Sequence, residues 1–160
     1  MSYAVTFADV QDRPVAVLGA GTLGRRIALM FASRGGLSRI YDPDPAQAQA
    51  GAEFVATTLP QMVADRGSGA VGRAEPVSSL AEALAGAWLV VEAVPERLDL
   101  KIDVWGQIDE LADAGTIFAT NSSSYASRLM SEKVRDKSRL CNMHFYMPPR
   151  SNAVDLMSDG

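Results

Sequence analysis

Residues 14–42 read PVAVLGAGTLGRRIALMFASRGGLSRIYD, and this stretch decides the fold. Pro14 to Gly19 is short and apolar on both parities, the pattern of a parallel strand covered on both faces. From Thr22 onward Leu23, Ile27, Met30 and Phe31 recur at helical spacing until Gly35-Gly36 breaks the run. A second strand, about Leu37 to Tyr41, then ends at Asp42. Strand, helix and strand in direct succession form a β–α–β unit, whose strands lie parallel because the helix carries the chain back.

The alternation continues. Pro45 opens a helix that runs to about Asp65, proline being well suited to a first helical turn. Gly67 to Glu75 is glycine-rich and unpatterned and reads as a loop, followed by at most a short strand at Pro76-Val77 and a small helix over Leu80 to Leu84. Ala87 to Val94, AWLVVEAV, is the clearest buried strand, the fourth. After it Leu98, Ile102, Trp105, Ile108 and Leu111 mark one face of a helix. Thr116 to Asn121 is a fifth strand, Tyr125 to Glu132 a helix, and Arg139 to His144 a sixth strand, with a proline turn and a further strand in the remainder. Right-handed crossovers then leave an α/β fold of the Rossmann type, doubly wound around a mostly parallel sheet. Residues 1–12 form a loose lead-in and 13–160 the domain.

Composition agrees with one globular unit: 160 residues, 48% hydrophobic and 21% charged. Fifteen basic against nineteen acidic side chains leave a net charge of −4, which gives no general attraction to nucleic acid or anionic membrane. The single Cys141 excludes an intrachain disulfide and a multi-cysteine metal site, and the single His144 excludes a histidine-rich one. The amino terminus has no basic start followed by an apolar run, so it resembles neither a secretory signal nor a membrane span. The expectation is an intracellular, cytoplasmic protein with no metal.

The chemistry begins at Gly19-Ala20-Gly21-Thr22-Leu23-Gly24, between the first strand and its helix. Gly19 permits the tight turn, Gly21 lets backbone approach a pyrophosphate, and Gly24 allows close packing, while the helix N-terminus offers unpaired N–H groups to the anion. Asp42 lies eighteen residues beyond Gly24, at a strand end where a carboxylate accepts both hydroxyls of an adenosine ribose. Its charge would repel a 2′-phosphate, so the cofactor expected is NAD. The bland alternative makes the glycines a turn and Asp42 a cap for the next helix. Ligands of such sheets sit beyond the carboxyl ends of the strands, which brings three further groups to the same rim: Glu92 to Glu96, with Ala93 and Val94, after the fourth strand; Asn121 to Ser124 after the fifth; and His144. An imidazole there can take a hydroxyl proton while hydride leaves the same carbon, and Glu96 is the expected carboxylate partner. A histidine at a strand end also has a purely structural reading.

GAGTLGRRIALMFASRG, LVVEAVPERLDLK, IFATNSSS and NMHFYMPP, in this order, resemble the NAD-binding domain of the L-3-hydroxyacyl-CoA dehydrogenase family. The resemblance implies that His144 is the catalytic base, Glu96 its pairing carboxylate, and Ser123 a hydrogen-bond donor to the substrate oxygen, with Asn121 ordering that loop. It also implies that Lys101 reaches toward the cofactor, although the residues alone read equally well as a solvated helical lysine. Ser122 and Ser124 are expected to satisfy turn backbone. The activity implied is NAD-dependent oxidation of a 3-hydroxyacyl-CoA to the 3-ketoacyl-CoA by an oxidoreductase of fatty acid metabolism, with a small-molecule substrate and a homodimeric whole enzyme. The family's second, helical domain has no counterpart in these 160 residues, so the chain reads as a fragment of a two-domain enzyme whose exposed apolar face meets that domain. Two departures leave the substrate open. Met147 stands where the family has asparagine, and Asp155 is the counterpart of an acid near the domain junction. A dehydrogenase of another 3-hydroxy acid, of the gulonate type, and a noncatalytic NAD-binding module are the alternatives.

Overall fold

A computed structural model describes residues 6–158. The elements in chain order are α1 (Phe7–Val10), β1 (Val15–Leu18), α2 (Thr22–Ala32), β2 (Leu37–Tyr41), α3 (Pro45–Arg66), β3 (Arg73–Pro76), α4 (Leu80–Leu84), β4 (Leu89–Glu92), α5 (Leu98–Leu111), β5 (Ile117–Thr120), α6 (Ser127–Met130), β6 (Leu140–Phe145) and β7 (Val154–Met157). The strands make one sheet in the order β3-β2-β1-β4-β5-β6-β7. All neighbours are parallel except β6 and β7. The chain steps outward from β1 to one edge, then returns beside β1 with β4 and steps to the other. That reversal opens a crevice between β1 and β4 at the carboxyl ends of the strands.

Both sheet faces are covered, as the continuous apolar strands require. Val15, Val17, Leu89, Val91 and Phe145 pack under α2 and α3 through Ile27, Ala28, Val55 and Leu59. Ala16, Leu18, Val90, Phe118 and Leu140 pack under α4, α5 and α6 through Leu84, Trp105, Ile108 and Met130. Trp105 and Phe118 are completely buried, ring centroids 5.4 Å apart, and each such burial is worth about 1.5–3 kcal/mol.

Three sequence readings change. A helical turn, α1, lies within the lead-in, whose first five residues fall outside those described. β3 occupies Arg73–Pro76, four residues read as loop and strand boundary. It escapes a hydrophobic pattern because it is an edge strand with partly exposed polar side chains; its place is set by backbone pairing to β2, from Leu37↔Arg73 to Ile40↔Pro76. The helix expected over Tyr125 to Glu132 shrinks to the single turn α6. Asn142 of β6 is the cause: its side-chain oxygen accepts the Ser127 N–H at 2.7 Å, and its nitrogen donates to the carbonyls of Ser122 (3.2 Å) and Tyr125 (2.9 Å). The amide thereby holds the chain before α6 in an irregular path.

Candidate active site

The glycine turn is built by contact. Gly19 sits at φ +95°, donates its N–H to Tyr41 O at 2.8 Å, and would place a Cβ 2.6 Å from the Ala93 carbonyl oxygen. A Cβ on Gly24 would fall 1.8 Å from the Gly19 carbonyl oxygen, so α2 can rest on the turn only with glycine there. Gly21 differs: nothing lies within 4 Å of its Cβ position. It caps α2 without a side-chain hydrogen bond, so the opening N–H groups of Thr22, Leu23 and Gly24 face the rim with no side-chain acceptor. An open approach to a helix terminus fits the pyrophosphate of a dinucleotide.

Asp42 stands beside this turn. Its Oδ2 accepts the Ala20 N–H at 2.8 Å and its Oδ1 the Asp44 N–H at 3.0 Å. The cap of α3 is Asp44, whose side chain accepts the Ala46 N–H, so Asp42 is not the helix cap of the bland reading. Next to Asp42 opens a cavity of about 450 Å³ between Tyr41, Pro43, Val94, Pro95 and Leu100, with no basic residue in its wall. A flat apolar base with a ribose against the carboxylate suits this shape. A second cavity, about 230 Å³, lies at the opposite end of the strands between Arg13, Phe31 and Trp88.

At the end of β4 the structure assembles a buried ionic cluster. Lys101 is 1% exposed, not solvated, and its Nζ lies 2.7 Å from Glu92 Oε1 and 3.2 Å from Glu96 Oε2. Glu92 is fully buried and also accepts the Val94 N–H at 2.9 Å and the Thr120 hydroxyl at 2.7 Å. Glu96 accepts the Ser122 hydroxyl and the Ser124 N–H. Burial pushes the Glu96 carboxyl up, but the Ser122 hydrogen bond, the Lys101 charge and hydrogen bond, and the Ser124 N–H outweigh it and hold the group below its ordinary value. Ser122 and Ser124 therefore serve the turn, and Ser123 between them is exposed on the rim. Asn121, directly after β5, has its side-chain oxygen on the Phe145 N–H at 2.9 Å, tying this turn to the residue after His144.

Among the described residues no hydrogen bond or ion pair joins His144 to Glu96, whose carboxylate holds Lys101, Ser122 and Ser124. The acid opposite His144 is Asp155, its direct partner in the antiparallel register of β6 and β7. Directly opposed side chains on one face stand about 5 Å apart at Cβ. Tyr146, whose ring centroid is 4.7 Å from that of His144, donates its hydroxyl to Asp155 Oδ2 at 2.5 Å. Imidazole, phenol and carboxylate thus share one patch at the end of β6.

The profile of the family described as 3-hydroxyacyl-CoA dehydrogenase, NAD binding domain, matches residues 14–156. The chain belongs to this family. NAD is the cofactor of the family domain, in agreement with the glycine turn and Asp42. Similar members include L-carnitine dehydrogenase of Nocardiopsis dassonvillei, 33% identical over 139 residues, covering 86% of this chain and 42% of that protein. The 3-hydroxyadipyl-CoA dehydrogenase of Escherichia coli is 30% identical over 156 residues, covering 93% of this chain and 33% of that protein. Among solved structures, 3-hydroxybutyryl-CoA dehydrogenase of Escherichia coli K12 superposes with a TM-score of 0.81 at 29% identity, covering 91% of this chain and 32% of the other. The chain thus spans less than half the length of these dehydrogenases. Among its described residues no helix is long and apolar enough to cross a membrane.

Proposed function

We propose that this chain is the cofactor-binding, acid–base half of an NAD-dependent dehydrogenase that oxidises the 3-hydroxyl of a 3-hydroxyacyl-CoA to the ketone. The observation that carries the reading is the placing of the glycine turn, Asp42, Ser123 and His144 at the carboxyl ends of neighbouring strands of one sheet, with Asp155 opposite the imidazole. The α2 N-terminus and Gly19 to Gly24 would hold the pyrophosphate, Asp42 the adenosine ribose, and the cavity beside it the adenine. Ala93, Val94, Glu96, Lys101, Asn121 and Ser123 would border the nicotinamide end. The negative charge of Asp42 and the absence of a basic group from the adjoining cavity wall favour NAD over its 2′-phosphate form.

Bound NAD⁺ would supply the hydride acceptor, giving NADH. His144 takes the hydroxyl proton as the carbon–hydrogen bond breaks, so that proton and hydride depart separately and the alcohol carbon becomes a carbonyl. Asp155 orients the imidazole and steadies the charge it gains. Ser123 donates to the substrate oxygen, and Asn121 fixes the spacing of the two loops. Exposed apolar side chains gather on β7 and the turn before it, Tyr146, Met147, Leu156 and Met157 among them. In the whole enzyme a second domain would cover this face and close over the acyl chain, and the assembly would be a homodimer.

A free 3-hydroxy acid is the second reading of the substrate, favoured by the similarity to L-carnitine dehydrogenase and by Met147 in place of the family asparagine. The whole enzyme carrying this chain decides between them when NADH absorbance is followed with acetoacetyl-CoA and, separately, with a free 3-keto acid. Faster oxidation with the thioester supports the proposal, preference for the free acid transfers it to the second reading, and NADH binding without turnover by either leaves a binding module.

A further inference from the structure

The Glu92–Lys101–Glu96 cluster contains more charge than is needed to fix a loop. Thr120 Oγ1 accepts the Ser122 N–H at 3.2 Å, so its own proton points to Glu92 Oε2. Glu92 then receives three donors, Thr120 O–H, Val94 N–H and Lys101 Nζ–H, and offers none, which is the bonding of a carboxylate. Glu96 likewise accepts from Ser122, Ser124 and Lys101. Two carboxylates share one ammonium, and the cluster bears a net charge of −1. Its location is specific. Glu92 is the last residue of β4, the strand that meets β1 where the chain reverses, and Glu96 is the member that reaches the surface, 37% exposed against 1% for Lys101. Arg97 is the other cation of this loop, and it turns to Asp99 at 2.8 Å instead.

A buried ion pair is a costly way to hold a loop that hydrogen bonds from neutral groups could hold. A nicotinamide ring carries a positive charge when oxidised and none when reduced, and the two forms are otherwise nearly identical in shape. A fixed negative charge beside it therefore distinguishes them, while contacts to the adenosine and pyrophosphate do not.

We propose that Glu92 is a positioning residue that acts through Lys101: by neutralising the ammonium from behind, it leaves Glu96 with an uncompensated charge that favours the oxidised over the reduced cofactor. The inference rests on the dinucleotide reading of the crevice. Glu92→Gln keeps the shape, its amide oxygen accepting from Lys101 and Val94 while its nitrogen donates to Thr120 Oγ1, and brings the cluster to zero. A unit charge about 10 Å away in a medium of effective dielectric about 20 alters the affinity of a monovalent cation about tenfold.

The test is equilibrium binding of three ligands to the chain: ADP-ribose, which has no nicotinamide, NADH and NAD⁺. Glu92→Gln should weaken NAD⁺ about tenfold relative to NADH and leave ADP-ribose unchanged. Glu96→Gln, on the surface and less exposed to folding defects, should shift the NAD⁺/NADH ratio in the same direction, whereas Thr120→Val, which removes two hydrogen bonds and no charge, should not. A purely structural role would weaken all three ligands alike. If both glutamine variants bind ADP-ribose with the NAD⁺/NADH ratio of the wild type, the proposal is overturned. If the wild-type chain binds no ADP-ribose, the dinucleotide reading fails and the inference goes with it.

Discussion

His144 of β6 and Asp155 of β7 are direct partners across an antiparallel strand pair, and Tyr146 bridges to the same acid through its hydroxyl. Strand pairing orients the two side chains to one face, so their meeting does not depend on a loop. With His144 as the proposed base, His144→Gln in the whole enzyme should lower turnover of the proposed 3-hydroxy substrate about 100-fold or more, through loss of acid–base help felt only in the transition state. Asp155→Asn should lower it about tenfold or more by the loss of the charge that steadies the imidazolium. Dinucleotide affinity should stay within about twofold of the wild type in both, since neither residue is assigned to cofactor binding. Steady-state kinetics paired with NADH titration checks this, and wild-type turnover in His144→Gln would remove the histidine from the mechanism.

The fingerprint glycines do different jobs, and alanine separates them. Gly24→Ala drives a methyl into the Gly19 carbonyl, backbone against backbone, and should cost about 3 kcal/mol or more together with dinucleotide binding. Gly21→Ala meets open space at φ −60°, a conformation any residue adopts. Its stability should change by no more than about 0.5 kcal/mol, yet its methyl stands where the pyrophosphate is expected, so dinucleotide affinity should fall about tenfold or more. Urea melts and ligand titration on the two variants read both quantities. Equal losses of stability would contradict the assignment.

The parts of the fold legible in the sequence were β1, α2, β2, α3, α4, β4, α5, β5 and β6, marked by short apolar runs or helical spacing and, for α3, by Pro45 at its start. β3 was obscured because an edge strand with Arg73 and Glu75 carries no apolar run, and α6 was overextended because the side chain that shortens it, Asn142, lies in another strand. The same divide holds at the site. Gly19, Gly21, Gly24 and Asp42 are local in sequence and sit together. The placing of His144 opposite Asp155 depends on the β6–β7 register, which a proline turn of irregular length conceals. Two signals were readable. Asn142 interrupts LCNMHF, where asparagine is disfavoured in a strand, and Lys101 falls within the apolar stripe of Leu98, Ile102 and Trp105, which marks it as buried and paired.

Met147 is the one non-glycine residue among those described with positive φ, at 49°. A left-handed conformation costs an ordinary side chain about 1–2 kcal/mol, and asparagine tolerates it better. Met147 is 47% exposed, so little packing is lost on replacement. Met147→Asn should stabilise the chain by about 1 kcal/mol, near 3 °C in thermal midpoint, and Met147→Ala, which keeps the strain, should give no gain. Differential scanning calorimetry on the pair decides it; an alanine variant as stable as the asparagine one would show that the backbone there is unstrained.

Glu96 gives the fold a pH dependence of defined sign. Its carboxyl is held below the ordinary glutamate value of 4.5 by the Ser122 hydrogen bond, the Lys101 ammonium and the Ser124 N–H, against the opposing effect of burial. The folded state therefore binds a proton there less readily than the unfolded chain does. Its contribution to stability is complete above the unfolded value and is lost as the pH falls through the lower, folded one. The side chain is 37% exposed, so solvent screening limits the contribution to about 1 kcal/mol or less. Glu96→Gln removes the titration and keeps an oxygen that can accept from Ser122. The difference in thermal midpoint between wild type and variant should be flat from neutral pH down to about 5.5 and should shrink as the pH falls below 4.5, the wild type losing its advantage as the carboxyl protonates. A difference that stayed constant to acid pH would mean that the Lys101 and serine contacts of Glu96 do not depend on its charge.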